Sequence, residues 1–420
     1  MNINKPWFGL CGLSLCGLLA IGSATAQATT LQDILKDALV HDPAMREAKA
    51  NTAVAHNNMQ MTKAGHYPVM SVMGTQILGQ QHKFESNAQE THFAPGVKAT
   101  LNVFAWGGIE AAVDRDKEKE RYYQHRQDQT REEVGDKIGK LYLTALRAKE
   151  SLVVAQRNLQ RHDKIIQDLS EIVVHDPGRR SELVQAQARR LRVDTNIAEV
   201  RRSMGLALSR LAAYTGKPLR PEVISDPFLT ISAHELVTRY RNEDAKQTPN
   251  YQAQLAERES ARADVRASKA ARMPAINIEG AATRDNKEVY LRVSWDVFNQ
   301  ASRYSVSQKA ESLIAAESRM EQVLRDVTER SRTAEFDMAQ NEHRANLASE
   351  YITAQKEVVW SYEQQFKIAR RTLIDVLDAY NELAGIEENE VAARNDFRDA
   401  ALEYLLAQAQ IATWAGVPNE

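Results

Sequence analysis

Between Pro274 and Pro418 the chain has no proline, an uninterrupted third of its length. Proline is the residue a helix interior tolerates least, and a run this long without one reads mostly as helix. The first half has a counterpart. Ile109 to Val174 is broken only by Gly135 and Gly139, and as a helix it would reach about 100 Å at 1.5 Å per residue. Globular helices average about 10–14 residues, so rods of this length must pack lengthwise on similar partners, as coiled coil or helical barrel. Ala111, Ala112, Ala145, Ala148 and Ala155 favour close lateral packing. Charged runs such as DRDKEKERYYQHRQDQTREE give an exposed face in either arrangement, and periodicity alone does not choose between them.

The chain repeats one plan twice. Pro43 and Pro68 are 25 residues apart, as are Pro249 and Pro274, and the stretches between them are Ala-rich and helical in pattern. A strand-like segment follows each second proline (VMSVMGT, AINIEGA), then a second one (GVKATLNVF, VYLRVSWDVF), then a long helical stretch. Each long stretch has one break, at Pro177-Gly178 and around Ala369-Arg370; Asp-Pro-Gly is a strong turn signal. Each half is therefore a strand hairpin followed by a helical hairpin whose tip lies far from the strands. The boundaries read as a first repeat over 27–217, a proline-punctuated linker over 218–248, and a second repeat over 249–417. Strands are expected near 69–78, 96–104, 275–283 and 288–298, with helices near 43–67, 108–215, 249–273 and 300–415.

The strands alternate. Val289, Leu291, Val293, Trp295 and Val297 are set against Arg292, Ser294 and Asp296; Val97, Ala99, Leu101 and Val103 against Lys98, Thr100 and Asn102; Ile276, Ile278, Gly280 and Ala282 against Asn277, Glu279 and Thr283. By the repeat offset, Met70, Val72 and Gly74 oppose Ser71 and Thr75. Period-2 patterning of this length suits a tilted membrane strand of about 9–11 residues as well as a sandwich strand. No stretch after the N-terminus approaches the ~20 apolar residues of a membrane helix, but a β-barrel leaves average hydropathy low. A barrel needs about eight strands and cannot leave an open edge in lipid, so four strands per chain imply an oligomer sharing one barrel with a polar, water-filled lumen.

At the N-terminus, Lys5, the apolar run Trp7–Ile21 and Ala24-Thr25-Ala26 form a signal-peptide pattern over 1–26, with cleavage before Gln27. Cys11 and Cys16 both fall inside it, which leaves the mature chain without a disulfide or thiolate site. Leu10 and Leu15 precede them where a lipidation signal needs a small residue. With 43% hydrophobic residues, 26% charged and a net charge of -2, the chain is neither a disordered polyelectrolyte nor a basic nucleic-acid binder. It carries no HExxH, GxSxG, GxxxxGK[ST] or glycine-rich dinucleotide loop, and its histidines are scattered. We therefore read it as a non-enzyme with no cofactor and no metal.

The opening LQDILKDALVHDPAM, the strand-to-helix junctions NVFAWGG and DVFNQAS, the tip ARRTLIDVLDA and the closing QIATWAG resemble the TolC family of bacterial outer-membrane efflux and secretion ducts. The resemblance implies a mostly α fold with a membrane β-barrel portion: a homotrimer with a 12-strand β-barrel in outer-membrane lipid and a 12-helix periplasmic α-barrel. Coiled helices hold its inner end nearly shut, and the end opens when an inner-membrane transporter and a periplasmic adaptor dock. Asp375 and Asp378 fall on the two aspartates of the family's entrance constriction. Arg371 falls on an arginine that ties the inner helix pair to its neighbour, and Glu182 sits near the position of the partnering acid. Phe366 replaces a tyrosine and Ala369 a glycine, so that tyrosine's hydrogen bond is missing.

DPGRRSELVQAQ resembles the branch paired with type I secretion machines that export large adhesins, in which an ABC transporter and a membrane-fusion adaptor deliver an exported protein. Alternatives are a small-molecule efflux duct of the same family and a periplasmic coiled-coil adaptor. An adaptor would carry lipoyl-like and barrel segments around one hairpin, whereas this chain has two strand-and-helix units in tandem.

Overall fold

The computed structural model describes residues 30–76, 93–283 and 286–417. The expected leader, with Cys11 and Cys16, lies outside the described residues. The first described element is a short helix, α1 (Leu31–His41), and the first repeat follows as α2 (Pro43–Lys63), β1 (Val69–Thr75), β2 (Ala94–Phe104), α3 (Gly108–His175) and α4 (Arg180–Thr215). A linker carrying α5 (Ala233–Tyr240) leads to the second repeat: α6 (Pro249–Ala270), β3 (Ala275–Thr283), β4 (Lys287–Ser294), α7 (Gln300–Lys367), α8 (Leu373–Ala407) and the short α9 (Ile411–Ala415). Pro43 and Pro249 each occupy the first turn of their helix, where the missing N–H has no partner to lose.

The two rods, α3 and α7, are 68 residues each, about 100 Å long. Near the strands α3 packs on α2 and α6, and α6 packs on α7; further out α3 packs on α4 and α8, and α7 on α8. The glycines that punctuate α3 do not end it. A Cβ on Gly135 would lie 2.7 Å from Ile411 Cγ2, and one on Gly139 would lie 2.6 Å from Leu402 Cδ2. They are points where α9 and α8 lie too close to α3 to leave room for a side chain.

That approach builds the main core at mid-length. Leu31, Leu35, Ile138, Tyr142, Leu402 and Ile411 are buried there with residues of α5 and the linker. The core also buries a carboxylate. Glu132 accepts the N–H groups of Ile411 (2.7 Å) and Ala412 (3.2 Å), closing the start of α9, and burial pushes its pKa up to about 7. Because the folded state holds this proton more tightly than the unfolded state, stability from this group is full below about pH 4.5 and is lost as pH rises through about 7, by up to about 3 kcal/mol. Asp399, raised to about 6 by burial and then by Asp396, acts in the same direction. Denaturant melts at pH 5 and pH 8 should show the loss, and Glu132→Gln should remove most of it; an unchanged pH dependence in that variant would refute the assignment.

The four strands form one antiparallel sheet in the order β1-β2-β3-β4. Two strands end earlier than expected, while β2 and β4 start one or two residues sooner. β4 stops at Ser294, opposite Ala275, and Trp295, Asp296 and Val297 lie beyond the ladder. The next residue across is Pro274, which has no N–H to donate. β1 ends at Thr75, and residues 77 and 78 of the expected strand lie outside the described residues. In β2 a bulge between Asn102 and Phe104 leaves Val103 out of the pairing and sets Phe104 opposite Ile276.

Candidate functional site

The register sorts the sheet into two chemically different faces. One carries the rows Met70–Ala99–Gly280–Val289, Leu101–Ile278–Leu291 and Phe104–Ile276–Val293, with Val72 opposite Val97. These members are all apolar; only at the hairpin end, where the last row runs on through Ala282 to Lys287, does a charge share the face. Val72, Val289, Leu291 and Val293 are all more than half exposed, so among the described residues most of this face is left open, with the Phe93 ring lying against Gly74 near the end of β1. The opposite face carries Ser71, Lys98, Thr100, Asn102, Asn277, Glu279, Tyr290 and Arg292. Its polar groups are mutually satisfied: Asn102 Nδ2 donates to Asn277 Oδ1 (2.9 Å), and Glu279 is met by Lys98 Nζ (3.3 Å), Arg292 Nε (2.9 Å) and the Tyr290 hydroxyl (3.0 Å).

β1 and β4 each have a partner on one side only among the described residues. An apolar outer face, a satisfied polar inner face and two open edges are what a fraction of a membrane barrel requires. Aromatic side chains ring the strand-to-helix junction. The Trp106 indole donates to Pro274 O (2.7 Å) and the Trp295 indole to Arg272 O (3.1 Å), while Phe104, Trp106, Trp295 and Phe298 stay exposed. Amphipathic rings anchored this way mark the level of a membrane–water boundary. Among the described residues no helix is long and apolar enough to cross a membrane.

The second region of interest is the pair of helical tips. At the first, α3 ends at His175, Asp176 Oδ1 accepts the Gly178 N–H (3.2 Å), and α4 begins at Arg180. At the second, Ala369 adopts φ 55°, its N–H donates to Phe366 O (3.0 Å) and the Arg370 N–H to Gln365 O (2.9 Å). This is a Schellman closure with alanine where glycine is easier. Thr372 then caps α8 in a reciprocal box with Asp375. A left-handed alanine costs roughly 1 kcal/mol, so Ala369→Gly should stabilise this tip by about that amount. Hydrogen exchange at the tip amides measures it, and unchanged protection would contradict the strain.

The expected site residues divide as follows. The Asp375 carboxylate accepts the Thr372 N–H (3.2 Å) and hydroxyl (2.8 Å) and lies 3.8 Å from Arg371; those hydrogen bonds, and then Arg371, hold it below the usual carboxylate range. Asp378, one turn on and 62% exposed, pairs with Arg189 of α4 at 2.7 Å. Arg371 lies over the Tyr362 ring (4.1 Å) and donates to Gln365 Oε1 (3.1 Å). Glu182 pairs with Arg179 (2.7 Å) rather than with Arg371. Within one protomer, then, Arg371 and Glu182 are not brought together. Phe366 is buried, and the Arg179 guanidinium lies 5.0 Å from its ring centre. The sequence shows the lost tyrosine hydroxyl but not this stacking arginine. It also gives no sign of Arg189, whose partner is 189 positions away.

A two-faced strand sheet on helices about 100 Å long defines a class: membrane ducts that join a β-barrel to a helical conduit. Residues 34–217 match the family model described as outer membrane efflux protein. The channel VceC of Vibrio cholerae is similar in fold, with a TM-score of 0.79 at 15% identity over 90% of this chain and 96% of that one. CmeC of Campylobacter jejuni gives 0.78 at 13% over 90% and 85%. MtrE of Neisseria gonorrhoeae, solved in its open state, gives 0.75 at 15% over 90% and 88%. Comparison with curated protein sequences gives no match. The family match thus covers the first repeat, and the fold over 90% of the chain is that of these channels.

Proposed function

We propose that three copies of this chain form the outer-membrane duct of a type I secretion system, conducting an exported protein passively from an inner-membrane ABC transporter and its membrane-fusion adaptor to the exterior. Barrel geometry supports an oligomer, because four strands with two open edges need partners, and the resemblance to the TolC family sets the number at three, for a 12-strand barrel. The reading as a protein exporter rests on the first tip, DPGRRSELVQAQ, with its similarity to the adhesin-exporting branch. Deleting the gene should remove a large protein from the cell surface or medium while leaving drug sensitivity unchanged. The reverse pattern would favour small-molecule efflux, the reading that the family's description supports.

Asp375 and Asp378 form the entrance constriction in this reading, and Arg371 with Glu182 of a neighbouring protomer forms the latch. Resting conductance in planar bilayers tests the latch: Arg371→Ser should raise it, and a value equal to wild type would count against the role.

A further inference from the structure

We infer that Arg189 is the built-in counter-ion of the entrance: it masks Asp378 and ties the two helical hairpins of each protomer together in the closed state. This rests on the placement of Asp375 and Asp378 at the constriction. Two bare aspartates per chain, repeated about an axis, would make an acidic ring that attracts and is plugged by multivalent cations. Here neither aspartate is bare. The Asp378 carboxylate meets Arg189 Nη1 at 2.7 Å, and the Asp375 carboxylate is held by Thr372, with Arg371 at 3.8 Å. Each protomer therefore sets two arginines against its two carboxylates.

The pair with Arg189 differs from the one with Arg371 in what it joins. Arg371 and Asp375 are neighbours on one tip. Arg189 is on α4 in the first repeat and Asp378 on α8 in the second. Moving the α7–α8 hairpin away from the α3–α4 hairpin must break this contact. Arg189 has the geometry for a tie: it is 24% exposed against 62% for Asp378, so the guanidinium is held by its surroundings while the carboxylate faces outward. The adjacent Arg190 is engaged on its own hairpin by Asp163 and Asp194, so of these two arginines it is Arg189 that crosses; Arg161–Glu387 and Lys164–Glu363 also join the hairpins, but neither touches Asp375 or Asp378.

The test uses the purified full-length channel in planar bilayers, with hexaamminecobalt(III) as the blocking probe. Arg189→Ala should strengthen block about tenfold, because it exposes the carboxylate, and should raise resting conductance, because it releases the tie. The swap Arg189→Asp with Asp378→Arg restores the pair in reverse and should bring resting conductance back to wild type. Wild-type block and conductance in Arg189→Ala, with weaker block in Asp378→Ala, would overturn this inference and leave the entrance placement standing. Unaltered block in Asp375→Ala, Asp378→Ala and the double variant would overturn the entrance placement, and the inference with it.

Discussion

Arg398→Ala is expected to destabilise the helical part by about 3–5 kcal/mol, the range for stripping the partner from buried charge. Arg398 is 1% exposed, yet it carries a full guanidinium. Two of its nitrogens meet Glu150 of α3 at 2.6 and 2.8 Å, and Nε and Nη2 meet Asp226 of the linker at 2.9 and 2.7 Å. The triad therefore pins α8, α3 and the linker at one point. Asp226 is itself part of a local frame: its other oxygen accepts the Phe228 N–H (2.9 Å), and Phe228 stacks on Trp414 at 5.1 Å.

Removing the arginine leaves two carboxylates close together, partly buried and unpaired, so the loss far exceeds that of a surface pair, about 0–1 kcal/mol. Arg398→Met with Glu150→Gln and Asp226→Asn takes the charges out together and should recover most of the loss. Thermal melts followed by helical circular dichroism separate the two cases. An Arg398→Ala protein within 1 kcal/mol of wild type, on this order-of-magnitude scale, would mean that the triad is solvated.

What was legible in the sequence follows from how local each cause is. The long helices could be read because proline is absent over a long run, and the strands because period-2 alternation is written into ten residues at a time. The bulge at Val103 could not be read, since it depends on what lies across the ladder, and neither could the end of β4, which falls opposite Pro274, just before β3. Ala369 shows a break without showing its kind, because a left-handed closure normally announces itself with glycine. Gly135 and Gly139 suggest interruption when read along the chain and prove to be contact points when seen in three dimensions.

The candidate site divides in the same way. Asp375 and Asp378 are candidates because of the motif around them. Their partners are not read from it: Thr372 and Arg371 are near in sequence but are not marked as partners, and Arg189 comes from the other repeat. The Arg398 triad joins positions 150, 226 and 398, and no window of sequence contains it.

Leu291→Arg is expected to stop assembly in the outer membrane. Leu291 sits in the row Leu101–Ile278–Leu291, which has further apolar rows on either side of it, and it is 62% exposed in the protomer. If that face meets lipid, an arginine near the midplane costs about 2–4 kcal/mol per copy, and a trimer carries it three times. The matched control is Thr100→Arg, on the adjacent strand-but-one and the opposite face. Thr100 pairs with Glu279, whose carboxylate already accepts two cationic side chains, so a third joins a polar, hydrated surface. Loss of heat-modifiable trimer and of outer-membrane fractionation in Leu291→Arg, with both retained in Thr100→Arg, fixes which face the bilayer sees. Equal behaviour of the two variants would undo the assignment of faces, and with it the shared barrel, because a sheet whose two sides tolerate charge alike is not standing in lipid.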